Sequence, residues 1–204
     1  MARYSSEHKE QTRRRMIATA GRRFKSDGID GSGIATLVAD AGLTNGAFYG
    51  HFASKSDLVA SVVTQQLMDQ VAIVNSLPAG LASVEAFLRQ YLSSAHRDDV
   101  AGGCPSAALL DEIGRCDVTV REAYTDGASS MIQAIARHLD DGDPQRTDER
   151  AIGLFTLIVG SLQAARAVTD PELSDRMLAA AYAGAMTLAT ASHHPADPAR
   201  QEPA

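Results

Sequence analysis

Cysteine is scarce in this chain: Cys104 and Cys116 are the only two among 204 residues. Two such residues supply neither a disulfide framework nor a metal site. No uninterrupted apolar run is long enough to cross a bilayer. Residues 1–11 lack the apolar centre of a secretory signal, so a cytoplasmic location without membrane contact is the expectation. Sustained period-two alternation is also missing, which predicts that no β-sheet underlies the fold. Residues 56–204 carry no recognisable catalytic set. Neither an enzymatic activity nor a cofactor nor a bound metal is therefore expected.

What is present is helical periodicity from one end to the other. Met16, Ala20 and Phe24 recur every four residues, predicting a helix over 7–27 that stops at Gly28. Further helices are expected over 54–76, 81–97, 105–115, 118–140, 146–168 and 172–191. Leu77-Pro78-Ala79-Gly80 and the stretch 98–103 read as turn and loop. Asp143-Pro144 and Asp170-Pro171 punctuate the last helices. The tail from 193, rich in Pro, Ala and charge, is expected to be disordered. Its His193-His194 pair is no more than two tail histidines. The fold class expected is all-α, with a DNA-binding unit over 1–53, a larger helical effector-binding and dimerisation domain over 54–192, and a tail over 193–204.

The net charge of −6 argues at first against a nucleic-acid partner. Its distribution reverses that. Residues 1–55 hold nine Lys or Arg against five acids, a net +4 that leaves −10 for the remainder. A basic head on an acidic body concentrates positive potential where phosphate would bind.

Residues 32–55 carry the most specific pattern. Ser32 is placed to cap a helix whose apolar face is Ile34, Leu37, Val38 and Ala41. Gly42 ends that helix, and Leu43 turns into the core. Thr44 caps a second helix of about two turns, with Phe48 and Phe52 on its buried side and Thr44, Asn45, Ala47 and His51 towards the outside. Ser54 and Asp57 form a capping-box variant opening the next helix. Lys55 falls in that helix's first turn, where the dipole disfavours it; a phosphate partner would account for it. This is the layout of a helix-turn-helix, whose second helix enters the major groove.

The run A-G-L-T-N-G-A-F-Y-G-H-F-A-S-K-S-D-L resembles the DNA-binding signature of the TetR family of transcriptional regulators. The likeness covers about residues 10–60. It implies that Ser32, Thr44, Asn45, Gly46, Ala47, Tyr49, His51 and Lys55 make up the surface offered to double-stranded operator DNA. Ala47 and Gly50 depart from the family, standing where many members have a hydroxyl and a larger side chain. The resemblance also implies a small-molecule effector held among the middle helices and a homodimer built through residues 151–191. The sequence fits the dimer: Ala151–Leu162 is apolar on nearly every face, and Ala181, Ala185, Ala189, Ala180 and Gly184 let helices approach closely. A dimer would read a palindromic site. Repression is favoured over activation because a repressor needs only to occupy its operator.

Effector-contact candidates are Phe87, Tyr91, His96, Cys104, Tyr124, Met131 and Phe155. Gly102-Gly103-Cys104-Pro105 sets Cys104 before a helix N-terminus, which favours thiolate. A Gly-Cys pair opening a middle helix also resembles a TetR subgroup that includes sensors of electrophiles. Two other readings stand beside it: a buried packing cysteine, and a nucleophile with His96 as base, for which no orienting third group is visible.

Overall fold

The computed structural model describes residues 2–139 and 142–191, with side chains from residue 7 onward. The tail over 193–204 and its histidine pair lie outside the described residues. Ten α-helices and no strand occur among those described.

α1 spans Ala2–Asp27, starting earlier than its periodicity predicts. Gly28 follows at φ +83°, a left-handed conformation that favours glycine. α2, Ile34–Asp40, and α3, Asn45–Tyr49, come next, then α4, Lys55–Ser76. The expected helix over 81–97 is in fact two, α5 (Leu81–Tyr91) and α6 (Ser94–Asp98). Ser93 causes the break: it adopts an extended backbone and its hydroxyl accepts from the His96 N–H, an N-cap that starts a fresh helix. α7 (Pro105–Arg115), α8 (Val118–Leu139), α9 (Pro144–Ala167) and α10 (Pro171–Thr190) complete the order. The Asp-Pro pairs that read as punctuation are starts. Asp143 and Asp170 cap α9 and α10, and each proline takes the first helical position, where no donor is lost.

α4 is the spine. Leu58, Val59, Val62, Val63 and Leu67 on its first half join α1, α2, Phe48 and Phe52 in one apolar cluster, together with Leu109, Ile113 and Val120 from α7 and α8. Val71 and Val74 on its second half join the cluster of α5, α8, α9 and α10. The apolar partition thus falls within α4, beyond the expected boundary at 53/54, and the head's core borrows residues from the body. α8 packs along α4. At their crossing, a side-chain carbon added to Gly127 would meet Leu67 Cβ at 2.8 Å, so glycine is what lets the two axes approach.

Arginines on α9 tie the chain ends of other helices. Arg150 donates to the carbonyls of Leu188 and Ala189 at the end of α10. Arg166 donates to the carbonyls of His96 and Arg97 at the end of α6, and to that of Ala107 in α7. At the ends of α6 and α10, terminal carbonyls without intrahelical partners are thereby satisfied.

Candidate nucleic-acid interface and effector cleft

The helix-turn-helix forms as its residues dictate. Gly42 takes φ +66°, and the N–H groups of Gly42 and Leu43 return to the carbonyls of Ala39 and Val38, a glycine-terminated helix end. α3 is shorter than the expected two turns. After Tyr49 the chain tightens, with the Gly50 and His51 N–H groups bonding three residues back to Ala47 and Phe48. Phe48 and Phe52 are buried, their ring centroids 5.7 Å apart. They pin α3 to the head and leave Thr44, Asn45, Gly46 and Tyr49 exposed. Tyr49 is 66% exposed, resting edge-on against Phe48. Ala47 is half-buried. Ser54 accepts from the Asp57 N–H and Asp57 from the Ala53 N–H, so the capping-box variant is real.

Three residues sit differently from expectation. Ser32 does not cap α2: Gly33 holds that position, and Ser32, fully buried, donates its hydroxyl to the Gly28 carbonyl. The turn after α1 is stabilised at the expense of any outward contact by that side chain. Thr44 holds the N-cap position of α3, but its side chain makes no capping hydrogen bond. Lys55 is half-buried and lines a small cleft of about 180 Å³ whose walls include Asp30, Glu112 and Asp117. Those carboxylates give the lysine a second reason to carry charge at a helix start.

His51 is half-buried with an unpaired Nδ1. Burial, then the charges of Lys9 and Arg13, hold its pKa below the usual histidine value. Both causes favour the neutral ring. The basic head is smaller than a count suggests. Arg23 bonds to Asp27 and Asp40. Arg13 donates to the Ser61 hydroxyl and lies over the Phe52 ring. Lys25 is buried and turned away from α3, donating to the Gly103 carbonyl at 2.7 Å. Lys9, Arg14, Arg15 and Arg22 stay exposed.

Lys25 opens on a cleft of about 1010 Å³ between α1, α4, α5 and the segment 93–105. Of the seven effector-contact candidates, Phe87, Tyr91, His96 and Cys104 line it. Met131 and Phe155 are core residues of the C-terminal cluster, and Tyr124 packs against the head's cluster. At helical spacing, aromatic and methionine residues serve the core as readily as a ligand, and here the core claims them.

Hydrogen bonding fixes the floor of the cleft. His96 Nε2 accepts from the Cys104 N–H at 3.1 Å, which requires the proton on Nδ1, where it is donated to the Tyr91 carbonyl at 2.7 Å. Burial lowers the His96 pKa, in keeping with that neutral form. Both ring nitrogens are committed to backbone, so His96 is not disposed as a base towards the Cys104 thiol. That thiol is 2% exposed and makes no capping bond to α7. Tyr91 buries its hydroxyl without a sound hydrogen bond. Burial, then the adjacent Cys104, push its pKa well up. Sequence reasoning missed Lys25 and Arg166 here, whose partners lie tens of residues away, beyond any local pattern.

A short exposed helix behind a glycine turn, on a basic head fused to an all-helical body with a large cleft, defines a helix-turn-helix regulator with a ligand-binding domain. Residues 16–62 match the family described as bacterial regulatory proteins, tetR family, and residues 80–181 match the tetracyclin repressor-like C-terminal domain. The chain belongs to the TetR family of transcriptional regulators, with DNA-binding and C-terminal ligand-binding domains. It is 34% identical over 62 residues to the HTH-type transcriptional regulator AcrR of Shigella flexneri, a stretch covering 30% of this chain and 29% of that one. Its fold is similar to that of reduced E. coli NemR, with TM-score 0.74 and 20% identity over 86% of this chain and 95% of that one. A TetR-family regulator from Agrobacterium tumefaciens is similar at TM-score 0.71 and 20% identity, over 87% and 97% of the two chains. No described helix is long and apolar enough to cross a membrane.

Proposed function

We propose that the protein is a homodimeric repressor that occupies a palindromic operator and is released from it by a small molecule in the cleft. The observation that carries this reading is the makeup of the cleft, which is walled by α1 of the head as well as by α5 and the 93–105 segment of the body. A ligand there touches both parts. Its affinity then depends on their relative position, as differential binding to two states requires.

DNA contact is assigned to Thr44, Asn45, Gly46, Tyr49, His51 and Lys55, with Ala47 beside them. Residues 1–53 and 54–192 serve as head and body. Dimerisation is assigned to the outward faces of α9 and α10. Ala181, Ala185 and Ala189 are buried against the chain's own core, so that small-residue stripe closes the subunit. Ile152, Thr156 and Gly160 on α9, with Ala180, Ala183 and Thr187 on α10, remain exposed for a partner. The test is selection of genomic fragments by the purified chain at moderate salt. An enriched palindrome supports the reading, and enrichment no greater than nonspecific binding overturns it.

Thiol sensing through Cys104 is the second reading, favoured by the opening of Cys104 onto the cleft beside the Lys25 cation. An electrophile that releases DNA from the native chain but not from Cys104→Ser would support it; equal release from both would leave Cys104 a packing residue. The nucleophile reading loses its base with the commitment of His96.

A further inference from the structure

The inner end of the cleft holds positive charge that no carboxylate among the described residues pairs. Lys25 is 7% exposed, and its ammonium has one hydrogen bond, to a neutral carbonyl. No acidic side chain lies within ion-pair distance among the described residues. Arg166, half-buried behind the same wall, is bonded to three carbonyls and to no carboxylate. The charge of Asp99 acts on both, but one of its oxygens is engaged by the Gly102 N–H. Burying a cation without an anion is unfavourable, and the imbalance is relieved when an anion enters.

Two polar atoms on residues that line this space are buried and also unsatisfied. The Tyr91 hydroxyl, on a residue more than nine-tenths buried, meets only the Cys104 thiol, a weak hydrogen-bonding group. Gln66 Oε1 is buried without a partner. Cys104 and Pro105 bring the N-terminus of α7, the positive end of its dipole, to the same place. Further out, Ile17, Ile73 and Phe87 provide apolar wall.

We propose that the effector is an organic acid whose carboxylate is held by the Lys25 ammonium and the Tyr91 hydroxyl, with its apolar body along Ile17, Ile73 and Phe87. One ammonium and one hydroxyl match a carboxylate, which accepts at two oxygens. The cleft volume suits a molecule of drug-like size. This rests on the regulator reading and adds to it a ligand class. The anchoring cation belongs to α1, so the acid grips the DNA-binding head directly and favours the dimer geometry in which Lys25 faces Tyr91.

The experiment is calorimetric titration of the full chain with benzoate, 3-phenylpropanoate and octanoate, each paired with its neutral amide. At least one acid should bind saturably, one per chain, about tenfold or more tighter than its amide, the ratio expected when a charged hydrogen-bonded contact is lost. Lys25→Met should remove that preference. Tyr91→Phe takes away an unsatisfied hydroxyl and keeps the fold, and should weaken the acid about threefold while leaving the amide unchanged. Equal binding of acid and amide, no saturable binding by any acid, or full acid affinity in Tyr91→Phe and Lys25→Met would each overturn the proposal. Genomic selection without ligand is read separately: loss of operator binding sinks the regulator reading, whereas a failed titration with an intact operator sinks only the carboxylate.

Discussion

Glu112 of α7 accepts from the backbone N–H of Ile29 at 2.7 Å and, more weakly, from that of Asp30 at 3.3 Å. The turn between α1 and α2 is thus held by a carboxylate 83 residues further along the chain. Like the bond of Lys25 to Gly103, it links the head to the segment leading into α7 and to α7 itself. Both links meet the segment 103–112, so a shift of α7 is felt by the helix that positions α2 and α3. Glu112→Ala leaves two backbone donors to water at a half-exposed site. It should lower stability by about 1 kcal/mol, seen as a fall of a few degrees in Tm. Operator affinity should fall with it, because the head loses one of the contacts that fix it to α7. An unchanged Tm and unchanged affinity would mean that water replaces Glu112 without loss.

Tyr49 and Phe48 are adjacent in sequence and opposite in role. Tyr49→Ala should reduce operator affinity about tenfold while thermal melts and dimer mass stay as they were, because the ring is mostly in water. Phe48→Ala should cost about 3–5 kcal/mol, the range for truncating a buried aromatic. Lys55 discriminates more finely. If it meets a phosphate, Lys55→Ala lowers the slope of log affinity against log salt by about one. An unchanged slope would assign the lysine to the cleft with Asp30, Glu112 and Asp117.

The helix-turn-helix was legible because its determinants are local: a glycine turn, a capping box, and phenylalanines four apart. Helix starts were legible for the same reason, although Asp-Pro gave its meaning only once the caps were visible. Ser93 was missed because Tyr91–Arg97 keeps helical periodicity across the break. The cleft floor was only half legible. Phe87, Tyr91, His96 and Cys104 do line one cleft, yet Lys25 was counted with the DNA face when its partner is the Gly103 carbonyl, 78 residues away. A charge count fixes a total and not a direction. Met131 and Phe155 fall in the core cluster and not along the cleft, since the pattern that marks a ligand cage also marks a core.

Two histidines set the pH dependence of stability. His51 and His96 both have folded pKa values below the ordinary histidine value, chiefly through burial. The unfolded chain therefore binds more protons than the folded one as the pH falls through the ordinary histidine range. Their contribution is fully present above about pH 6.5 and is lost on acidification towards the folded values. Tm should drop between about pH 7 and pH 5, and His96→Gln should flatten that drop. DNA binding carries the opposite sign. A phosphate beside His51 favours the protonated ring, so operator affinity should rise as pH falls over the same interval, measured where the chain is still folded. The rise should vanish in His51→Gln; its persistence there would place the proton elsewhere.

Ile152 tests the dimer. It is 42% exposed on α9, one turn before Thr156 and two before Gly160, both also exposed. The opposite face, Leu154, Phe155, Ile158 and Leu162, is buried in the subunit. A helix apolar on one side and small or apolar on the other leaves its second side for a second chain. Ile152→Asp puts a charge on that exposed face without touching the subunit core. If α9 forms the proposed interface, the charge must be desolvated there without a partner, which opposes association. The expected outcome is a monomer by sedimentation, with helical content preserved and affinity for the full palindrome reduced far more than affinity for a half-site. A variant that stays dimeric would move the interface off α9, onto surface that includes neither Ile152 nor its neighbours one turn away.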